Sequence, residues 1–317
     1  MAIEADIEQK IRLLQEKYAA MGQDLSAYLD GLLHAEYITY WDYIHLDTLL
    51  TLQHPKTAFP DEKIFIVYHQ ITELYFNLAL HELGQMCAGN AAEPNFLLAR
   101  ITRVNRYFEA LTHSFAIMVD GMEKEQFLQF RMSLLPASGF QSAQYRKIEM
   151  HAAPFERLVD ISFRDSLKDA NIEKQFEHLY WKNGATELTT GKKTLTLLQF
   201  EKKYAGELLE LAKGLQGKTL WDAYLNIPKN HESRDDMKQA LRWLDVNVNI
   251  NWPLVHYKSA VRYLQRKPED VAATGGTNWQ QYLPPRFQRR IFYPELWSQE
   301  ELDTWGKSWV DQHVFNR

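Results

Sequence analysis

Apolar residues recur along much of this chain at helical spacing. Ile7, Ile11, Leu14, Tyr18 and Met21 fall three or four apart and predict an amphipathic helix within residues 3–33. Tyr37 to Leu52 is denser, and His54-Pro55 closes it, because the residue before proline is pushed out of the helical region. Pro60-Asp61-Glu62 opens another helix, with an acidic side chain suited to its positive end. That helix runs to about Met86 and is apolar nearly all round, which predicts burial. Residues 93–118, 123–135, 195–215, 234–250 and 254–266 carry further helical patterns. The stretch 150–195 shows no clear period, and Asn183-Gly184 and Gly191-Lys192 read as turns. No segment repeats and none reads as a linker. The expectation is an all-α fold, with 1–317 as one large helical domain and 1–35 as an extra N-terminal helical segment.

Composition supports that expectation. Glycine (14) and proline (11) are scarce in 317 residues, which favours long helices over many short strands. The net charge is −5 with no basic run, so nucleic acid is not expected as a partner. The single cysteine, Cys87, rules out an internal disulfide and a cysteine-rich metal site. The first residues are acidic where a signal peptide is basic, and no run reaches the ~20 apolar residues of a spanning helix. A cytoplasmic protein without membrane contact is expected.

Common catalytic signatures fail on inspection. His81-Glu82 and His231-Glu232 each lack the second histidine of a zinc-protease helix. Gly275-Gly276 lacks the lysine of a phosphate loop, and Ser138-Gly139 lacks the glycine frame of a nucleophile elbow. Four constellations remain. Phe65 and His69 are four apart and share a helix face; a histidine on such an apolar helix is more often a core residue than a functional one, and both readings stay open. Arg131 stands among apolar neighbours, where it needs an internal carboxylate or the carboxylate of a ligand. His256 lies near the start of a helix, and neutral imidazole is the usual protein ligand of haem iron. Thr274-Gly275-Gly276-Thr277 is a plain turn, or a loop whose glycines let backbone approach a ligand.

Taken in chain order, these segments resemble the tryptophan 2,3-dioxygenase family of haem enzymes. The carrying residues are Tyr40-Trp41-Asp42-Tyr43-Ile44-His45-Leu46, the His69-Gln70-Ile71-Thr72-Glu73-Leu74 helix, Phe130-Arg131, the string Ser138-Gly139-Phe140-Gln141-Ser142-Ala143-Gln144-Tyr145-Arg146, His256, and Thr274-Gly275-Gly276. The resemblance spans about residues 36–283. It implies a helix bundle enclosing a ferrous haem b, a homotetramer built as a dimer of dimers, and L-tryptophan and O₂ as substrates. The product implied is N-formyl-L-kynurenine, the first step of tryptophan degradation by the kynurenine pathway.

The resemblance also implies roles. His256 matches the proximal haem ligand, and His69 matches the distal histidine facing the indole N–H. Phe65 matches an aromatic beside the indole, and Phe127 stands where some members carry tyrosine. Arg131 matches the grip on the substrate carboxylate, and Thr274 matches a threonine at the amino acid's polar end. Ser138 and Gly139 match a turn at the haem edge. Tyr40 and Tyr43 match aromatics that line the pocket across a subunit interface. Departures from the pattern are Ala273 before Thr274, Thr277-Asn278-Trp279 after Gly276, and about four extra residues near 266–270. Two other readings of the scaffold are a one-oxygen hydroxylase of a related aromatic amino acid and a non-catalytic haem or amino-acid sensor.

Overall fold

The structure is a computed structural model, and it describes residues 5–88, 93–134, 139–183, 185–186, 192–264, 285 and 289–306. Among these the chain is helical, with only two isolated backbone bridges, Val159 with Leu179 and Thr186 with Lys193. It forms two compact units, Met1–His54 and Pro55–Arg317.

The first unit departs from the periodicity. One amphipathic helix within 3–33 is expected; two are found, α1 (Ala5–Ala20) and α2 (Leu25–Leu33). Gly22 takes a left-handed conformation (φ +67°), and Asp24 then caps α2 by accepting from Ser26 N. The dense segment that follows gives two single turns, α3 (Tyr40–Tyr43) and α4 (Leu46–Leu49), with left-handed His45 between them. Leu25 is the only buried residue described in this unit, and Leu33, Tyr37, Tyr40 and Tyr43 are exposed.

The second unit holds the core. α5 (Asp61–Met86) begins just after Pro60 and ends at Met86, as the pattern predicts. Glu62 is buried at its start, where its carboxylate accepts from Lys56 N and Thr57 N, both at 2.7 Å. α5 is not buried all round, however. Tyr68, Thr72, Phe76, Ala79, Leu83 and Met86 form the stripe that packs inward, while Ile71, Leu74 and Leu78 stay exposed. α6 (Pro94–Ser114) lies against α5 through Leu97, Ile101, Val104, Phe108 and Leu111. The expected helix at 93–118 ends earlier, and a short α7 (Ala116–Asp120) follows. α8 (Lys124–Phe130) continues into a tight turn, Arg131–Leu134.

α9 (Ala143–Ala152) also packs on α5. The aperiodic region yields three short helices, α10 (Ile161–Arg164), α11 (Ile172–Glu177) and α12 (Tyr180–Asn183). α13 (Leu195–Gly214), capped by Thr194, lies on α9, and a short α14 (Leu220–Leu225) follows. α15 (Arg234–Val246) packs on α6, and α16 (Trp252–Leu264) reaches α6, α7 and α8. The periodicity separates helices at 234–250 and 254–266, yet the chain passes from one to the other without leaving the helix, through a widened turn at Asn247–Asn251.

Two buried polar centres fasten this unit. Glu149 on α9 accepts from Arg146 at 3.0 Å, from Arg290 at 2.6 Å and from the Tyr180 hydroxyl at 2.5 Å. Asp245 on α15 is fully buried and accepts from Phe292 N, Tyr293 N, Asn249 Nδ2 and Trp297 Nε1 at 2.7–3.1 Å. Burial raises the Asp245 pKa to about 6 against the pull of those four donors. Together the two carboxylates hold the 289–306 segment on the helices.

Candidate active site

The site is built from two helices that present histidines in the same way. On α5, Phe65 and His69 are one turn apart, their ring centroids are 4.0 Å apart, and His69 Nδ1 lies 2.7 Å from Phe65 O. On α16, Trp252 and His256 are one turn apart, with centroids at 4.4 Å and His256 Nδ1 lying 2.9 Å from Trp252 O. A carbonyl only accepts, so in each ring Nδ1 carries the proton and Nε2 is left with its lone pair.

Both rings are held neutral at pH 7. Burial lowers the His69 pKa, and the Phe65 carbonyl and Glu73 recover part of the loss. Burial lowers His256 to about 4; the Trp252 carbonyl works against this and the charge of His69 works with it. His69 nevertheless keeps accessible surface, and His256 keeps some.

Aromatic rings connect the two. His69 meets Tyr68 edge-on at 6.5 Å, Tyr68 meets Phe115 at 5.7 Å, and Phe115 meets His256 at 4.4 Å. Tyr68 is fixed by its hydroxyl, which donates to Leu111 O at 3.2 Å. On the other flank Phe65 lies 6.3 Å from Phe127 and 5.8 Å from Phe130, and Phe127 packs at 4.6 Å on Tyr263 of α16. Arg131 follows Phe130 directly and is 4% exposed. Phe65, His69, Phe127 and His256 thus fall in one ring-lined region, with Arg131 beside it in the chain.

Tyr40 and Tyr43 belong to the first unit and are each 71% exposed. Gly139 opens a short turn, Gly139–Gln141. Ser138 and Thr274 lie outside the described residues, as does the loop around Thr274.

The Ser138–Arg146 string serves the scaffold where it is described. Ser142 caps α9 by accepting from Tyr145 N, Gln144 donates to Glu73 O, and Gln141 donates to Thr196 O. Trp252, Phe115, Tyr68 and Tyr263 escape the sequence reading. The first had a signal: Trp252 stands four before His256 as Phe65 stands four before His69. Phe115 meets the site only through long-range packing, while Tyr68 and Tyr263 share helices with His69 and His256.

No cluster of three or more His, Cys, Asp or Glu side chains able to hold a bare metal ion occurs among the described residues. One neutral imidazole flanked by aromatic rings, its Nε2 without a partner among the described residues, suits an iron whose remaining ligands come from a porphyrin.

Comparison with known proteins agrees in kind. The sequence pattern of the family Tryptophan 2,3-dioxygenase matches residues 31–169. A tryptophan 2,3-dioxygenase from Bradyrhizobium diazoefficiens is 38% identical over 280 residues, covering 82% of this chain and 91% of that protein. One from Ruegeria sp. (strain TM1040) is 30% identical over 283 residues, covering 83% and 92%. One from Pseudomonas fluorescens is 28% identical over 278 residues, covering 83% and 90%.

Proposed function

The chain belongs to the tryptophan 2,3-dioxygenase family, and on that footing we propose that Phe65, His69, Phe127, Arg131 and His256 bind haem and L-tryptophan for opening of the indole ring. The reaction adds both atoms of O₂ across the indole C2–C3 bond and gives N-formyl-L-kynurenine. The observation that carries this reading is the pair of neutral imidazoles, His69 and His256, each with Nδ1 occupied and with no partner for Nε2 among the described residues.

His256, with Nδ1 held by the Trp252 carbonyl, would hold the iron through Nε2. A ferrous haem b bound there supplies the activation of O₂. His69 accepts the indole N–H at Nε2 and so orients the ring; its low pKa keeps that lone pair available at neutral pH. Phe65 and Phe127 form apolar walls for a flat indole. Arg131 binds the substrate carboxylate with its planar fork, a charge-assisted contact strengthened by the dry surroundings. Fixing the carboxylate at one end and the N–H at the other leaves the C2–C3 bond in one orientation. Thr274 at the amino acid's polar end, and Ser138 and Gly139 at the haem edge, complete the set by resemblance.

Tyr40 and Tyr43 are assigned to the pocket of a neighbouring copy in a homotetramer. Their exposure, with that of Tyr37 and Leu33, is support for this: the unit that carries them has almost no core of its own. No described helix is long and apolar enough to cross a membrane, and a cytoplasmic setting is proposed. A hydroxylase or a sensor on the same scaffold is not favoured, because the matching relatives are named tryptophan 2,3-dioxygenases. The test is aerobic incubation of the reduced, haem-loaded protein with L-tryptophan. N-formyl-L-kynurenine is expected, and its absence from fully loaded protein would refute the reading.

A further inference from the structure

α16 does not continue α15 in phase. Across Asn247–Asn251 the backbone bonds widen, and Trp252 N–H reaches back five residues to Asn247 O. Pro253 supplies the cause. Its ring collides with the carbonyl four residues earlier in an ordinary helix, and it has no N–H to donate. Widening the turn relieves the collision. It also strands one acceptor. In this register the partner of the Val248 carbonyl is the N–H of residue 253, which is proline, while the Trp252 N–H is already committed.

Val248 is fully buried, so the stranded carbonyl needs another donor. Tyr145 provides it from α9: its hydroxyl donates to Val248 O at 2.9 Å. Burial pushes the Tyr145 pKa up to about 12, so the hydroxyl keeps its proton at any working pH. The turn's three buried asparagines brace it further. Asn247 donates to Asn105 on α6 at 3.1 Å, Asn251 to Asn247 at 3.0 Å, and Asn249 to Asp245 at 2.7 Å. One added residue rotates everything downstream by about 100° around the helix axis. His256 begins one turn downstream.

We propose that Tyr145 is a positioning residue for His256: by holding the Val248 carbonyl in the Pro253-widened turn, it fixes the rotation of α16 and with it the direction of the His256 Nε2 lone pair. The inference rests on His256 being the haem ligand.

Tyr145→Phe removes the hydroxyl and keeps the ring. Tyr293→Phe is the matched control, since its buried hydroxyl also donates to a backbone carbonyl, Ala152 O at 3.0 Å, away from the widened turn. Each haem-loaded variant is reduced, its iron–histidine stretching band is recorded by resonance Raman, and its haem loss to excess apo-globin is timed. Tyr145→Phe is expected to shift or broaden the band and to lose haem about tenfold faster. Tyr293→Phe is expected to keep the parent band and rate even where its melting temperature falls as far. A Tyr145→Phe protein with the parent band and rate, or one matched by Tyr293→Phe, overturns the proposal. Should Tyr145→Phe take up no haem while Tyr293→Phe loads it normally, that loss supports the proposal; loss of haem uptake by both variants alike overturns it. Failure of the ligand assignment is visible separately, as a parent band that His256→Ala leaves in place.

Discussion

His69 and His256 repeat one local arrangement: each ring's Nδ1 donates to the carbonyl four residues before it, at 2.7 and 2.9 Å. They lie near enough that the charge of one lowers the pKa of the other. The two are therefore locked in the same tautomer and cannot both become protonated without cost. Their roles differ by what each Nε2 meets, and the variants below separate them.

His256→Ala is expected to abolish stable haem loading while the fold survives, because the ring's hydrogen bond is to its own helix. Haem titration followed by absorbance, alongside far-UV circular dichroism, checks this. His69→Ala is expected to load haem normally and to lose turnover. A His256→Ala protein with a normal haem spectrum removes the ligand assignment.

Arg131→Ala should lower kcat/KM for L-tryptophan by roughly 2–5 kcal/mol, or about 30-fold and more, as expected when one partner of a buried charge pair is truncated. Tryptamine lacks the carboxylate, so the variant should discriminate less between the two amines. Steady-state kinetics on both compounds decides it. Unchanged discrimination would assign Arg131 to the scaffold.

Cys87 gives a pH-dependent prediction. Burial pushes its thiol from 9.0 to about 12. Folding thus favours the protonated thiol, and that contribution is complete below pH 9 and lost as pH rises from about 9 to about 12. At pH 8 the native thiolate is scarce, so iodoacetamide should label the folded protein slowly and the unfolded protein fast. With a single cysteine, one mass increment reports it. Rapid labelling of native protein at pH 8 would contradict the burial.

Asp245→Ala leaves two backbone N–H groups, the Trp297 indole and the Asn249 amide without their acceptor. A loss of about 3–5 kcal/mol is expected, seen as a melting temperature lower by roughly 6–20 °C. A shift under ~2 °C would mean that the 289–306 segment is held by packing alone.

Much of this was legible in the chain, and the misses share physical causes. α5 starts just after Pro60 as expected, because that signal acts locally, and α5 and α13 keep close to the bounds their apolar spacing predicts. Left-handed turns at Gly22 and His45 interrupt stretches whose apolar spacing runs on regardless, so periodicity alone overran them. The patterns at 234–250 and 254–266 leave a gap around Pro253, yet buried partners on α9 and α6 let the helix absorb the proline and run on. At the site, Phe65, Phe127, His69 and His256 were visible through spacing and resemblance. Phe115 at the site and Asp245 in the scaffold were not, since each owes its place to contacts across more than 40 residues of chain.

The central claim is that this site adds both atoms of O₂ to one molecule of L-tryptophan. The direct measurement is the mass of the product formed by the reduced, haem-loaded protein under isotopically labelled O₂. Two label atoms in N-formyl-L-kynurenine are predicted. A product carrying a single label, or unlabelled tryptophan recovered unchanged, would contradict the account.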